Sequence, residues 1–204
     1  MKKKQFSIAV LLPTRGRTDA LKRSVISIIN RVVKPKEVQL LLAFDNDDEI
    51  GTNYFIEEIQ PWLDSKGIDY TALTFDSMGY EGLNRYYNAM AEHADADWLF
   101  VWNDDAIMET SSWDNVVRKY DGQIKILKVH THGEHPYSIF PIVPADVNSP
   151  FAALSSNFSA NFATFGSVIF AFPPTPVITP DANTVRVKGF IGDSPATRAR
   201  CTSV

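Results

Sequence analysis

Along residues 6–130, short apolar runs trade places with segments whose apolar positions recur every three or four residues. The first kind reads as buried strand and the second as helix with one apolar face. "FSIAVLLP" is a strand, and "TDALKRSVISIIN" a helix with Leu21, Val25, Ile28 and Ile29 on one side and Thr18 as its N-cap. "EVQLLLAFD" is a second strand, continuously apolar as expected where both faces are covered. "NYFIEEIQPWLDS" predicts a helix through Phe55, Ile59 and Leu63 that Pro61 kinks or ends. "IDYTALTF", "DWLFVWN" and "QIKILKVH" read as strands three, four and five. Between them "GLNRYYNAMAEHA" and "SSWDNVVRKY" read as helices, the first striped by Leu83, Tyr87 and Met90, the second with Trp113, Val116, Val117 and Tyr120 inward.

This alternation predicts an α/β fold, a mostly parallel sheet flanked by helices. Ligands gather at the carboxyl ends of strands in such sheets. Polar side chains are dense at three of those ends: "PTRGR" after strand one, "DNDDE" after strand two and "NDDA" after strand four. Their convergence predicts one site.

The pattern breaks near Pro144. From Val147 onward the sequence has no Glu, Trp or Tyr, and helical periodicity disappears. "GSVIFAF" and "NTVRVKGF" are short β-like pieces among prolines. The expected organisation is a domain over residues 1–146 and an atypical extension over 147–204, β-rich or irregular, serving as edge hairpin, interface arm or loosely ordered tail.

Composition narrows the functional classes. Hydrophobic residues make up 45% and charged residues 22%, ordinary for a globular chain. A net charge of -4 gives no basic field for nucleic acid, so an anionic ligand needs local devices. The single cysteine, Cys201, cannot form an intrachain bridge, which points to a reducing, cytoplasmic setting. The start "MKKKQFSIAVLLPTRGR" reads as a first strand rather than a secretion signal, because Pro13 and two arginines follow a short apolar run. No membrane span is expected.

Each polar cluster has a plain and a functional reading. Asp104 and Asp105 are a strand end with a capping acid, or hard oxygen ligands for Mg²⁺ or Mn²⁺. In "DNDDE", Asp47, Asp48 and Glu49 read as a solvated loop, whereas Asp45 ends the apolar strand and can accept from a base N–H or a ribose hydroxyl. "PTRGR" is an ordinary loop, or one whose amides and Arg15 or Arg17 hold a nucleotide. Its glycine spacing matches neither GxxxxGK nor GxGxxG, which argues against NTPases and dinucleotide dehydrogenases. Arg85 and Asn88 are placed to face the ligand edge, while Tyr86, Tyr87 and Met90 read as core. His130, His132, His135 and Glu134 read as a polar loop, with a zinc site or an extra ligand beside Asp105 as the functional options. No GxSxG elbow supports Ser-His-Asp chemistry, and Cys201 has no nucleophile context.

In order, "IAVLLPTRGR", a strand ending in Asp45, and "GLNRYYNAMAEHADADWLFVWNDDAIM" resemble the GT-A glycosyltransferases, family 2-like enzymes in particular, over residues 6–145. The resemblance implies a GT-A (Rossmann-like) fold, and a nucleobase and ribose held by Pro13, Thr14, Arg17 and Asp45. It makes Asp104 and Asp105 the DxD-type motif for Mn²⁺ or Mg²⁺ and the diphosphate, with Asp105 the direct ligand. Asn103 stands where many relatives carry an acid. Arg85 or Asn88 matches the polar group near the diphosphate. The implied reaction moves a sugar from a nucleotide-diphosphate donor, UDP-linked, to a sugar, lipid or protein acceptor. The general base such enzymes take from their second half has only Asp146, Asp181 and Asp193 to draw on here, with Asp146 and Asp193 as candidates. A nucleotide-sugar binding module without turnover is the alternative. A nucleotidyltransferase ranks lower, because "PTRGR" holds a single glycine.

Overall fold

A computed structural model describes residues 4–131, 140–145 and 186–189. Its centre is strand β1 (Phe6–Pro13), which pairs in parallel with β2 (Val38–Asp45) on one side and β4 (Ala96–Val101) on the other. Strand β3 (Asp69–Phe75) pairs in parallel with β2 and forms one edge. Ile8 lies opposite Val38 and Trp98, and Leu11 opposite Leu41 and Val101, so the strands end at one edge of the sheet. The mixed α/β architecture with a mostly parallel six-stranded sheet, β3-β2-β1-β4-β8-β6, is the predicted one. Strands β8 (Pro141–Pro144) and β6 (Leu127–Lys128) add to it in antiparallel sense.

The period of two along the strands separates two cores. Ile8, Val10 and Leu12, with Leu40, Leu42, Phe44, Trp98 and Phe100, face helix α1 (Thr18–Ile29) and the helical run Glu49–Lys66. Ala9, Leu11, Leu41, Ala43, Leu99 and Val101 face helix α4 (Leu83–Glu92), which contributes Tyr86, Tyr87 and Met90. Every residue of β2 is buried, which accounts for its unbroken apolar sequence. Each fully buried Leu or Ile contributes about 1.5–3 kcal/mol. Because α1 and the Glu49–Lys66 run cover one face and α4 the other, strand order reverses between β1 and β4. That is where open α/β sheets form a ligand crevice.

Several local expectations change. Thr18 is the first residue of α1; its N-cap is Arg17, which supplies no side-chain cap. The second helix runs on through Pro61 as α2 (Glu49–Tyr54), a π-helical turn (Phe55–Ile59) and α3 (Gln60–Lys66). Gln60 N–H reaches back to Phe55 O, a five-residue step, so the chain widens just ahead of the residue that lacks a donor. The fifth strand forms in two fragments only. Leu127–Lys128 joins the main sheet, while β7 (His130–Thr131) joins a small second sheet with β5 (Ala106–Met108) and β9 (Arg186–Gly189). Continuous apolar periodicity is missing there: Lys125 and Lys128 interrupt "QIKILKVH". "GSVIFAF" lies outside the described residues.

Helix α5 (Trp113–Arg118) carries a polar anchor. Asp114 is fully buried; it accepts the Val33 and Lys34 amides, each at 3.0 Å, and pairs with Arg118, whose Nε stands 3.1 Å from Glu37. Burial alone raises its pKa, but Arg118 and the two amides outweigh that and hold it below the ordinary carboxylate value. A depressed folded-state pKa means stabilisation that is complete above the unfolded value and lost as pH falls through the folded one. Asp114→Ala is therefore expected to cost about 3–5 kcal/mol at neutral pH. Urea unfolding at pH 7 and at pH 3 measures it, and the gap between variant and parent narrows in acid.

Candidate functional site

The loop after β1 opens by extending the ladder, with Thr14 N–H donating to Ala43 O at 3.0 Å. Thr14 is buried, and its hydroxyl donates to Asp104 at 2.9 Å. Gly16 then takes a positive φ of 66°, a conformation in which its amide donates to Asp48 at 2.7 Å. This crossing turns Arg15 and Arg17 in different directions along the sheet edge.

Arg15 goes to the β2 side. Its guanidinium bonds Asp45 and Asp47, the second contact including Nη2 at 2.9 Å. Hydrogen bonds to Asp47 first and Asp45 second raise the pKa of Arg15, and Arg15 lowers that of Asp47. Asp45 is 4% exposed and is approached from three directions: by Arg15, by Ser77 Oγ at 3.2 Å and by the Tyr86 hydroxyl. Tyr86 also accepts the Met78 amide at 2.8 Å, so α4 fixes both the carboxylate and the segment after β3. Burial first, then Asp45, pushes the Tyr86 phenol pKa up, keeping it a donor.

Arg17 goes to the β4 side. It lies 3.0 Å from Asp105 and 3.4 Å from Asp104. Asp104 is 2% exposed; burial raises its pKa, opposed by Arg17 and the Thr14 bond. Asp105 retains partial solvent access, 27% at its side chain. Asn103 has a structural task. Its carbonyl accepts Ser24 Oγ at 3.1 Å and the Ala106 amide at 3.2 Å, which forms the turn bearing the two acids. Its Oδ1 is 2.7 Å from the Tyr87 hydroxyl, which also approaches Trp102 O at 3.0 Å. Burial, then the charges of Asp104 and Asp105, pushes the Tyr87 phenol up.

Thr14, Arg15, Arg17, Asp45, Asp104 and Asp105 thus meet along one edge, with the half-buried Pro13 ending β1 beneath them. Arg85 is exposed on α4 and Asn88 half-buried; no bond joins either to the three carboxylates among the described residues. Asp48, read as solvated, is buried instead. It accepts the amides of Gly16 and Gly51, and a Cβ at Gly51 would collide with its carboxylate. Tyr86 and Tyr87, read as core, are core and polar anchor at once. The available signal was the choice of tyrosine over phenylalanine, because a buried phenol needs a partner. Ser77 carried no sequence signal. Asp146, Asp181, Asp193, Cys201, His132, Glu134 and His135 lie outside the described residues. His130 is exposed in β7, and among the described residues no three His, Cys, Asp or Glu side chains form a metal-binding group.

A divalent ion needs one or two protein carboxylates when phosphates and waters complete its shell. Asp104 and Asp105 meet that requirement, and Arg17 shows that the pair accepts a positive group between its oxygens. Of the two, Asp105 has the solvent access that an incoming ion would need, whereas Asp104 is engaged by Thr14.

The fold is GT-A-like. No protein-family model and no curated protein sequence matches the chain. Solved structures do match in fold. S. aureus TarS 1–349 in complex with UDP superposes at a TM-score of 0.58 and 11% identity, over 78% of this chain and 53% of that one. The same protein with UDP-GlcNAc matches at 0.50 and 11%, over 66% and 38%. The mannosyltransferase PcManGT from Pyrobaculum calidifontis, in complex with GDP-Man and Mn²⁺, matches at 0.57 and 10%, over 91% and 57%. The chain therefore spans about half the length of the first of these, 53%, and little more of the mannosyltransferase, 57%. Among the described residues no helix is long and apolar enough to cross a membrane.

A raised carboxylate pKa in the folded state means that Asp104 favours folding most below the unfolded value and loses that contribution as pH rises through the folded one. Asp104→Asn keeps an oxygen for the Thr14 hydroxyl and removes the buried charge. Its Tm is expected to exceed that of the parent at pH 7.5, with the difference shrinking below about pH 4, where both states of the parent are protonated. Thermal melts followed by circular dichroism across that range check the sign.

Proposed function

We propose that the chain binds a nucleotide-diphosphate sugar, UDP-linked, along the edge formed by β1, β2 and β4, and transfers the sugar to an acceptor hydroxyl with Mn²⁺ or Mg²⁺ at Asp105. The observation that carries this reading is the pair of links from one loop to two strand ends, Arg15 to Asp45 and Arg17 to Asp105. One loop thus ties itself to two strand ends, and the solved structures that share the fold hold UDP, UDP-GlcNAc or GDP-Man with Mn²⁺.

Residue roles follow from position. Asp45 accepts from a base N–H or a ribose hydroxyl, with Tyr86 and Ser77 fixing its carboxylate. Pro13 and Thr14 form the floor, and Arg15 and Arg17 supply donors to the nucleotide. Arg85 and Asn88 stand as further donor-side candidates on α4. A bound divalent ion would neutralise the charge that develops on the diphosphate. In the transfer, the bond from the acceptor oxygen to the anomeric carbon forms and the bond to the diphosphate oxygen breaks. The acceptor proton goes to a base, for which Asp146 and Asp193 are the candidates. In this reading residues 1–146 hold the donor and residues 147–204 form an extension; the acceptor is a sugar, lipid or protein.

A second reading, a binding module without turnover, is favoured by composition. Asp181 and Asp193 are the only carboxylates in residues 147–204, the part from which a general base is expected.

Calorimetry with UDP in the presence and absence of Mn²⁺ tests the first reading. Saturable binding that strengthens with Mn²⁺ is expected, and Asp105→Ala abolishes the metal dependence. Folded protein that fails to bind millimolar UDP with Mn²⁺ overturns it. Release of UDP from UDP-sugars, or of GDP from GDP-mannose in parallel, separates the enzyme from the binding module.

A further inference from the structure

Arg17 occupies the place a cation would take. Its Nη1 lies 3.0 Å from Asp105 and 3.4 Å from Asp104. The carboxylates are otherwise held from behind: Thr14 takes Asp104, and the turn is fixed through Asn103 by Ser24 and Tyr87. The two acids therefore stand adjacent in a fixed turn with one counter-charge between them, and Asp104 has almost no access to water. A buried carboxylate left without a counter-charge is costly. Arg17 meets that need when nothing is bound. Its own side chain is 58% exposed, and it caps nothing at the start of α1. Among the described residues the guanidinium is therefore anchored by the two acids, and it can leave them once another cation takes over the counter-charge.

We propose that Arg17 is a displaceable internal cation that makes divalent-metal binding at Asp104 and Asp105 dependent on nucleotide. This rests on the reading of the site given under Proposed function. A divalent ion arriving alone competes with a tethered guanidinium for the same oxygens, and the released Arg17 has no new partner. An ion arriving with a nucleoside diphosphate meets a different balance. The diphosphate offers Arg17 anionic oxygens with a geometry that suits a planar fork of donors, so the guanidinium passes from carboxylate to phosphate as the ion takes its place. Net charge at the site then stays near balance before and after loading. The empty protein has one of its two acid charges offset by Arg17, and in the loaded one the two negative charges of a sugar nucleotide's diphosphate are matched by the ion, so the charge of the site is the same in both.

The test is Mn²⁺ titration followed by electron paramagnetic resonance, with and without UDP, on the parent chain, Arg17→Gln and Arg17→Lys. Without UDP, Arg17→Gln is expected to bind Mn²⁺ about tenfold more tightly than the parent, and Arg17→Lys to stay near the parent because the charge is kept. With UDP, the advantage of Arg17→Gln shrinks or reverses, because the phosphate partner is gone. Adding Asp105→Asn to Arg17→Gln removes the gain and places the ion at the acid pair. Equal Mn²⁺ affinity of parent and Arg17→Gln without UDP overturns the proposal. That outcome is distinct from failure of the functional reading, which shows as absent UDP binding by the parent chain with Mn²⁺. Circular dichroism confirms that each variant is folded.

Discussion

The register of β1 against its two neighbours is the constraint on which everything else depends. A strand hydrogen-bonded in parallel on both sides sets where each neighbour ends: β4 stops at Val101, opposite Leu11, and β2 runs to Asp45, two residues past the partner of Pro13, all at the same edge of the sheet. Slipping either neighbour by one residue would turn its buried side chains to the opposite face. The large residues facing α1 and the small ones facing α4 would then exchange places, and the cores would not fill. Packing energy therefore aligns the polar residues that follow the strands, although none of those residues contributes to the packing.

On this frame the chemistry is organised as exchangeable charge. Two arginines two residues apart diverge because Gly16 twists the backbone between them, and each neutralises a carboxylate that the fold has withdrawn from water. Asp45 and Asp104 are the residues that a fold optimised for stability alone would not keep. Both are almost fully buried at the end of apolar strands. Keeping such groups where a stabler residue would fit is a pattern seen where function competes with stability. The phenols of Tyr86 and Tyr87 belong to the same arrangement. They are placed by α4 in the smaller core, and their hydroxyls set the orientation of the strand ends from below.

The sequence made the parallel strands and their covering helices legible because burial on two faces leaves an unmistakable apolar block, as in Leu40–Phe44. The stripes Leu21, Val25, Ile28, Ile29 and Phe55, Ile59, Leu63 are buried as their spacing predicts. Legibility fell where burial is partial. "QIKILKVH" has the composition of one strand, and two lysines on a poorly covered edge leave only dipeptide fragments of it. Pro61 alone signals a kink or a stop, but the helix gains enough from packing Ile59 and Leu63 to widen a turn and continue. At the site, Asp45, Asp104 and Asp105 stood out because charge after an apolar run has no packing reason. Asp48 did not, because a buried acid among exposed ones looks the same in sequence. Its burial depends on two amides, of Gly16 in the loop after β1 and of Gly51 in the first turn of α2.

The shared carboxylate of Asp48 has a consequence for how lesions in this protein would be interpreted. Gly51 sits in the first turn of α2, outside every polar cluster at the sheet edge, and has room for hydrogen alone on the side facing Asp48. Any larger residue there drives the carboxylate aside, and the amide of Gly16 loses its acceptor. The twist that sends two arginines to opposite stations would relax from a position that touches neither. A genetic screen for loss of function would then report Gly51 alongside residues that contact the ligand. The cause would be a hinge released at one remove, and no map of ligand contacts would contain it.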